Sequence, residues 1–164
     1  MCDWKANRGR RRIQISLFLF RFAKSANGRY GRWSFPLTFM YRQYALSYVG
    51  FDIPINTDIG PGLQIHHGIG LVVNGSAKIG QGVQLRQNTT IGSRLSSTDS
   101  PTIGNGVEVG ANCVVMGEIL VGDQSVIGAG TVLLHSVPRR SVVFGNPGKM
   151  HRTLEGTSMP GGVL

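Results

Sequence analysis

Apolar residues recur at every sixth position over the second half of this 164-residue chain. This series has no polar member, and it consists of Ile103, Val109, Val115, Val121, Ile127 and Leu133. Four of the six are followed directly by glycine. A period of six suits neither an amphipathic helix nor one long strand. It suits a chain that turns after each short strand, and we therefore predict a parallel β-helix.

Three such hexads would form one triangular coil, with the apolar positions pointing inward and glycine at the bends. Because no coil buries its inner face alone, the coils must stack on one another. The hexads continue upstream to Ile59 with two interruptions. Eight residues separate Leu71 from Ile79, which predicts a two-residue bulge in that corner. The polar stretch 93–102 predicts a loop that projects from the prism, and such loops often carry function.

The net charge of +9 lies entirely in the first third of the chain. Residues 1–50 contain ten Lys or Arg and one acidic residue, whereas the remainder contains seven of each. We predict three regions: a basic N-terminal segment with a helical cap (1–50), the β-helix (51–147) and a C-terminal tail (148–164). The basic excess indicates either solvated surface helices or attraction to an anionic surface, which would be an acidic polymer or a membrane contacted through residues 1–32. No nucleic-acid-binding motif is present, so we expect no nucleic-acid partner.

The N-terminal segment contains two helical patterns. The apolar run 13–20 is too short to span a bilayer and is interrupted by Arg21, so it predicts a helix or an interfacial segment instead of a signal peptide. A second helix begins at Ser34 and Pro36 and ends at Gly50. Its apolar stripe should cover the open end of the prism, and it consists of Leu37, Met40, Tyr41, Tyr44 and Tyr48. Two cysteines, Cys2 and Cys113, form no disulfide framework, which favours a cytoplasmic protein.

Two adjacent histidines, His66 and His67, lie inside a predicted coil. Adjacent strand residues face opposite ways, so at most one of them faces a given cleft. Asp52 precedes His67 by fifteen residues, which is close to the length of one coil. We therefore expect its carboxylate near the imidazole, where it would hold one tautomer and raise the basicity of the ring. The alternative is an exposed corner pair without a chemical role.

Several stretches of the chain carry a more specific pattern, at residues 50–54, 59–73, 128–132, 136–138 and 145–147. They resemble the active-site segment and downstream elements of the serine O-acetyltransferase family. The resemblance covers about residues 35–150 and is greatest to the branch of colanic-acid and capsular polysaccharide acetyltransferases, which share a short helical N-terminus. It implies a left-handed β-helix, a homotrimer with active sites at the subunit clefts, acetyl-CoA as co-substrate and no metal.

The resemblance also implies roles for individual residues. His67 is the general base, Asp52 orients it, and the acceptor hydroxyl attacks the acetyl-CoA thioester directly. The coenzyme contacts of the family map to the corners of the coils, where glycines would leave room for the pantetheine arm. The predicted coenzyme-binding residues are Ser93, Gly110, Ala111, Gly128 and Ala129. Ordinary turn chemistry of the hexads is an equally good explanation of Ala111 and Ala129.

On the acceptor side the chain departs from the serine-specific members of the family. His66 stands where they carry an Asp, and Asp99 and Ser100 stand where they carry Arg-His before a proline. We expect these three residues to face the acceptor. Burying the ammonium group of serine without a carboxylate partner is costly.

The departures therefore favour an O-acetyltransferase acting on a sugar hydroxyl of a capsular polysaccharide or exopolysaccharide, or of its precursor. A serine O-acetyltransferase and a non-catalytic docking scaffold are the alternatives. A zinc-dependent carbonic anhydrase on this fold would need three histidines around one site, and only His66 and His67 lie in the central coils.

Overall fold

The computed structural model describes residues 2–96 and 99–154. A helical N-terminal segment precedes a parallel β-solenoid of about four coils, which confirms the predicted left-handed parallel β-helix with a helical cap. The helical elements are α1 (Cys2–Ala6), α2 (Arg11–Tyr30), a 3-10 turn (Gly31–Ser34), α3 (Phe35–Tyr44) and a π-helical turn (Ala45–Val49). In the described ranges, none of the helices has the length and apolar character needed to cross a membrane.

Each coil contributes one short strand to each of three sheets. The first sheet contains β1 (Asp58–Ile59), β4 (Lys78–Ile79), β7 (Thr102–Ile103) and β10 (Leu120–Val121). The second contains β2 (Gln64–His66), β5 (Gln84–Arg86), β8 (Glu108–Val109), β11 (Val126–Ile127), β13 (Ser141–Phe144) and β14 (Lys149–Thr153). The third contains β3 (Val72–Val73), β6 (Thr90–Gly92), β9 (Val114–Met116) and β12 (Val132–Leu133).

The core consists of apolar ladders that run along the solenoid axis. In the second sheet, Ile65, Leu85, Val109 and Ile127 are in register and fully buried. Burial of each such side chain contributes roughly 1.5–3 kcal/mol to folding. The coils are therefore held together by the hexad pattern from which the fold was predicted.

The far end of the solenoid is closed by β14, which pairs with β13 in antiparallel register. The predicted C-terminal tail thus begins with a strand. Residues 155–164 of that tail lie outside the described residues.

The two-residue bulge lies one corner earlier than the sequence predicts. Strand β2 ends at His66, which is in register with Arg86. The next contact between the two coils is the hydrogen bond from the Asn88 N–H to the Ile69 carbonyl, at 2.9 Å. Residues 67–68 therefore have no counterpart in the next coil, and they form the bulge between the second and third sheets.

Helix α2 supplies most of the apolar cover of the first coil. Its side chains Ile13, Leu17, Phe20 and Ala23 are buried in one cluster with the β-helix core. The stripe predicted on the second helix is only partly correct. Tyr41 is buried, but Met40 and Tyr48 are 48% and 68% exposed, while Leu37 and Tyr44 are partly buried.

Polar side chains of α1 and of the turn that follows it complete the hydrogen bonding of the first coil. Asn7 donates from Nδ2 to the Leu63 carbonyl at 2.7 Å and accepts from the Ile65 N–H at 3.0 Å. Asp3 Oδ1 accepts from the backbone N–H groups of Gly62 and Leu63 at 2.7 and 3.0 Å. Since β2 is an edge strand, these bonds satisfy groups that would otherwise attract another strand.

Two basic side chains of α2 bind carbonyl groups of the same coil. Arg21 donates to the carbonyls of Ile59 and Gly60 at 2.5 and 2.6 Å and pairs with Asp3 at 2.8 Å. Lys24 donates to the Thr57 carbonyl at 2.5 Å. Part of the basic N-terminal charge therefore has a structural role.

Candidate active site

His67 occupies the bulge at the corner between the second and third sheets, and it is exposed. Its φ is 55°, in the left-handed region, which costs an L residue about 1–2 kcal/mol. Gly70, Asn88 and Asn112 also have positive φ along this corner, at positions that repeat from coil to coil. His67 belongs to no such repeating position. Strain of this kind concentrates at functional sites.

The imidazole of His67 faces a cleft of about 540 Å³ between the corner and the N-terminal helices. The cleft is lined by residues 9–13 at the start of α2, by Tyr48 and Val49, and by residues 67–69. Three consecutive arginines, Arg10 to Arg12, thus lie beside the candidate base. No carboxylate belongs to the described lining. The sequence showed this run only as part of a basic segment, because nothing local indicates that α2 begins against the bulged corner.

Asp52 lies below the third sheet, next to the same corner. It forms a parallel bridge with Val72, and its N–H donates to the Leu71 carbonyl at 2.9 Å. Its neighbours in sequence are buried, so the carboxylate faces outward, where it pairs with Arg42 at 3.9 Å. In the part of the chain that the structure describes, no hydrogen bond or ion pair within 4 Å joins Asp52 to His67. The orienting role of Asp52 therefore stays a prediction.

The segment that carries Asp52 is anchored by Tyr41 of α3. The Tyr41 hydroxyl donates to the Ile53 carbonyl at 2.7 Å. Burial raises the pKa of Tyr41, and the negative charge of Asp52 raises it further. The tyrosine is therefore a hydrogen-bond donor throughout the physiological range, and it fixes the backbone next to Asp52.

His66 lies on the outer face of β2, opposite in direction to the inward Ile65. Burial lowers the pKa of His66, and the positive charges of Arg10 and Arg86 lower it further, while a hydrogen bond with the Gln84 side chain opposes them. Its Nε2 atom is buried and has no hydrogen-bond partner among the described residues. A neutral ring at this position offers no negative charge to an ammonium group.

Two of the predicted coenzyme residues lie on the same edge of the prism as His67. The edge is continuous, since the Asn112 N–H donates to the Gln87 carbonyl at 3.1 Å and the Gly130 N–H donates to the Ala111 carbonyl at 2.8 Å. Ala111 and Ala129 therefore follow His67 along the solenoid axis, at about 10 and 14 Å for a strand spacing of about 4.8 Å.

The glycines next to them have a structural explanation in the packing of the coils. A Cβ on Gly110 would lie 2.5 Å from the backbone nitrogen of Ala129, and one on Gly128 would meet the ring of Phe144. Both glycines are required by the approach of the next coil. This packing explains both glycines by itself, and the room that they would leave for pantetheine stays a prediction.

The other predicted site residues lie at a different corner, between the third and first sheets. Ser93 Oγ is 3.5 Å from Asn74 Nδ2, and Asp99 caps its own loop by accepting the Leu95 N–H at 3.2 Å. Ser100 is buried, and its hydroxyl lacks a hydrogen-bond partner in the described ranges. From Ile69 to Asn74 is five residues, or about 16 Å of extended chain. The two groups lie at opposite ends of the third sheet, and no hydrogen bond or ion pair in the described ranges joins Ser93, Asp99 or Ser100 to His67.

Fold and site together define a hexapeptide-repeat β-helix with a histidine at a bulged corner. The family model "Bacterial transferase hexapeptide (six repeats)" matches residues 100–135. The putative colanic acid biosynthesis acetyltransferase WcaB of Escherichia coli (strain K12) is 37% identical over 119 residues, which are 72% of this chain and 74% of WcaB. Serine acetyltransferase 2 of Arabidopsis thaliana is 38% identical over 108 residues, 65% of this chain.

Solved structures give the same result. Serine acetyltransferase from Brucella abortus strain S19 superposes with a TM-score of 0.79 at 27% identity, over 93% of this chain and 66% of that chain. Soybean serine acetyltransferase complexed with serine gives 0.81 at 27% identity, over 92% of this chain and 67% of that chain. This chain spans 33% of the Arabidopsis relative but 74% of WcaB. The chain belongs to the hexapeptide-repeat acetyltransferases.

Proposed function

We propose that the protein is an acetyl-CoA-dependent O-acetyltransferase that acts on a sugar hydroxyl of a capsular polysaccharide or exopolysaccharide, or of its precursor. The observation that carries the proposal is His67, held in a strained corner conformation beside an open cleft. The similarity to WcaB over most of both chains supports the saccharide acceptor.

The reaction would proceed by direct transfer. His67 removes the proton from the acceptor hydroxyl while the oxygen attacks the thioester carbonyl carbon. Backbone N–H groups stabilise the oxyanion of the tetrahedral intermediate. When the intermediate collapses, the C–S bond breaks, and the imidazolium of His67 returns the proton to the departing thiolate. Asp52 orients the imidazole in this scheme.

Acetyl-CoA would lie along the edge that carries His67, Ala111 and Ala129. The small alanine side chains at these corners leave the surface of the edge free for a ligand, and Ala129 is exposed. Gly110 and Gly128 support this edge indirectly, because they allow the coils to approach closely. The thioester would then lie near His67 at one end of the edge, with the nucleotide further along the axis.

A homotrimer would bring the second group of residues to the site. Ser93, Asp99 and Ser100 lie across the third sheet from His67, so one site contains both groups only if a neighbouring copy supplies one of them. A cyclic arrangement of three prisms does this at each of its three interfaces.

Serine O-acetyltransferase is the second candidate, and the structural neighbours favour it. Its acceptor carries an ammonium group, which needs a negative partner when it leaves water. The described lining of the cleft contains three arginines and no carboxylate, and His66 is neutral. The arginines suit the carboxylate of serine as well as an acidic sugar, so it is the lack of a negative partner for the ammonium group that favours a saccharide over serine.

The test is an acetyl-transfer assay with purified protein, acetyl-CoA and a panel of sugar nucleotides, oligosaccharides and free serine. The release of the coenzyme A thiol measures turnover. We expect turnover with a saccharide, and a loss of at least about 100-fold in His67→Asn, since general-base catalysis contributes about 10²–10⁴-fold. Asn tolerates the left-handed conformation, so this variant should fold.

His135→Asn is the matched control, because His135 is exposed after β12 in the last coil and does not line the cleft. It should keep wild-type activity. Serine turnover that rivals every saccharide would overturn the proposed acceptor. Undiminished activity of His67→Asn would overturn the assignment of the base and favour a docking scaffold.

The proposal extends to a cytoplasmic location with peripheral contact to an anionic membrane through residues 1–32. Helix α2 exposes Phe18 and Phe22, whose rings stack with centroids 6.3 Å apart, and basic residues adjoin them. Apolar side chains next to basic ones are typical of interfacial helices. Phe18→Ser with Phe22→Ser should weaken co-sedimentation with phosphatidylglycerol vesicles, and Phe39→Ser on α3 is the control. Unchanged co-sedimentation of the double variant would contradict this contact.

A further inference from the structure

Four arginines surround the His66–His67 pair. Arg10, Arg11 and Arg12 line the cleft together with His67. Arg86 is in register with His66, and its charge acts on the His66 ring as does that of Arg10. Within residues 2–96 and 99–154, no ion pair joins any of the four to a carboxylate. The cleft therefore has an uncompensated positive charge.

Three other basic residues of the helical segment have partners in the fold. Arg21 pairs with Asp3 and binds two carbonyls, Lys24 binds a carbonyl, and Arg42 pairs with Asp52. Those charges stabilise the cap. Arg11 and Arg12 are exposed and make no such contact with any described residue. Since adjacent like charges repel each other, the fold gains nothing from them.

Arg10 connects this charged run to the scaffold. It is half-buried, and its Nη1 atom lies 3.3 Å from Asn7 Oδ1 and 3.4 Å from the Ile65 carbonyl. Asn7 is itself fixed on the edge of β2. The start of α2 is thus held at a constant position relative to His67, which is a requirement for selective recognition of a ligand.

The position of the arginines assigns them to the acceptor and not to the coenzyme. Ala111 and Ala129 lie on the third and fourth coils, on one side of His67 along the axis. Arg10, Arg11 and Arg12 lie on the opposite side, against the first coil and the helical cap, whereas Arg86 belongs to the second coil. A coenzyme that follows the edge from His67 toward Ala129 does not occupy the cleft of these arginines, which is then free for the second substrate.

We infer that the acceptor is an anionic saccharide, whose phosphate or carboxylate group binds Arg10, Arg11 and Arg12 while a nearby hydroxyl faces His67. The inference rests on the proposed function for the identity of the reacting hydroxyl. Guanidinium groups bind phosphate and carboxylate oxygens in a bidentate geometry. A cleft of about 540 Å³ is within the usual range of small-ligand sites, about 300–1,000 Å³, and it accommodates a sugar with a charged substituent.

Binding can be measured without turnover in the His67→Asn protein. The probes are glucose, glucuronic acid and glucose 1-phosphate, titrated calorimetrically at low and high salt. We expect at least one anionic probe to bind about 10-fold or more tightly than glucose, and this preference to shrink as salt rises. Comparison of the two anionic probes distinguishes a carboxylate from a phosphate. Equal affinity for all three probes would overturn the inference.

Arg11→Gln with Arg12→Gln in the same background should lower the affinity for the preferred anionic probe about 10-fold. The matched control is Arg29→Gln with Arg139→Gln, which removes the same charge at exposed positions away from the cleft. It should leave binding unchanged. Equal losses in both double variants would show a nonspecific charge effect and overturn the inference.

Two further titrations separate the other partners of a basic cleft. If the Arg11/Arg12 variant loses affinity for acetyl-CoA but not for the anionic sugar, the arginines serve the coenzyme and the inference fails. It also fails if that variant loses only its binding to phosphatidylglycerol vesicles. Selective binding of an anionic sugar by a protein that transfers no acetyl group would support the site and overturn the proposed function alone.

Discussion

The backbone at His67 allows its strain to be separated from its chemistry. A left-handed φ of 55° is unfavourable for histidine and accessible to glycine. The bulge provides no repeating reason for a side chain there, since residues 67–68 have no counterpart in the next coil. A histidine at such a position does not serve the stability of the fold, so we expect its role to be chemical.

We predict that His67→Gly increases the free energy of unfolding by about 1 kcal/mol while acetyl transfer is lost. His135 is not among the residues with positive φ, so His135→Gly should instead decrease stability by about 0.5–1 kcal/mol. Urea unfolding of both variants measures the difference. Equal destabilisation by the two substitutions would contradict the argument.

The pKa of His66 links stability to pH. Burial, Arg10 and Arg86 lower the pKa in the folded state, so the unfolded chain binds more protons once the pH falls toward the ordinary histidine value of about 6.5. Stability is therefore fully present above that value and decreases as the medium becomes more acidic. We predict that His66→Gln has a shallower loss of stability between about pH 7 and pH 5.

Urea unfolding at a series of pH values measures this effect. Arg86→Gln should show an intermediate slope, because it removes one of the two positive neighbours but keeps the ring. Parallel stability curves for the wild type and His66→Gln would show that the ring contributes nothing to the pH dependence.

At the level of elements, α1 protects the open edge of the first coil. Asn7 is fully buried although it is polar, because both ends of its amide bond the backbone of β2. We predict that Asn7→Ala lowers the free energy of unfolding by about 2–4 kcal/mol, since a carbonyl and an N–H are left unpaired. Chemical denaturation measures the loss, and Arg8→Ala in the adjacent exposed turn is the control. A change below that of the control would show that water replaces Asn7 at no cost.

The period of six predicted the β-helix because every coil must bury apolar side chains at the same positions of its hexads. The bulge was assigned to the wrong corner for a physical reason. Leu71 and Val73 are two residues apart in one strand, so both face inward and both are buried. Leu71 lies one hexad after Ile65 and Val73 lies one hexad before Ile79, so the count alone fits either residue, and only the pairing of Val73 with Ile91 decides between them.

The helical cap could not be predicted in the same way. The bonds of Asp3 and Asn7 join positions 56–60 residues apart, and no local period records them. At the site, the spacing of Asp52 and His67 predicted that they lie near each other, and the structure places Asp52 beside Val72 of the first coil. The spacing could not indicate that Asp52 pairs with Arg42, or that Arg10–Arg12 lie against the corner. Those contacts depend on how α2 and α3 pack on the first coil.

At the level of the whole molecule, the candidate site is divided between two corners of the prism. The loop between β6 and β7 places Ser93 and Asp99 at one corner, and His67 is at another. Twelve residues separate Ile91 from Ile103, twice the spacing of Val115 and Val121, so deletion of residues 94–99 would restore the regular hexad. Such a deletion should preserve the β-helix and remove only the loop.

We predict that the 94–99 deletion variant and His67→Asn are each inactive but regain activity when they are unfolded and refolded together. In a mixed trimer, a functional site forms wherever a subunit with His67 meets a neighbour with an intact loop, which is about a quarter of all sites in an equal mixture. Acetyl transfer of the mixture measures this recovery, and each variant refolded alone is the control. Because sites within one subunit cannot be complemented, an inactive mixture of proteins shown to form mixed trimers would place the entire site in a single chain.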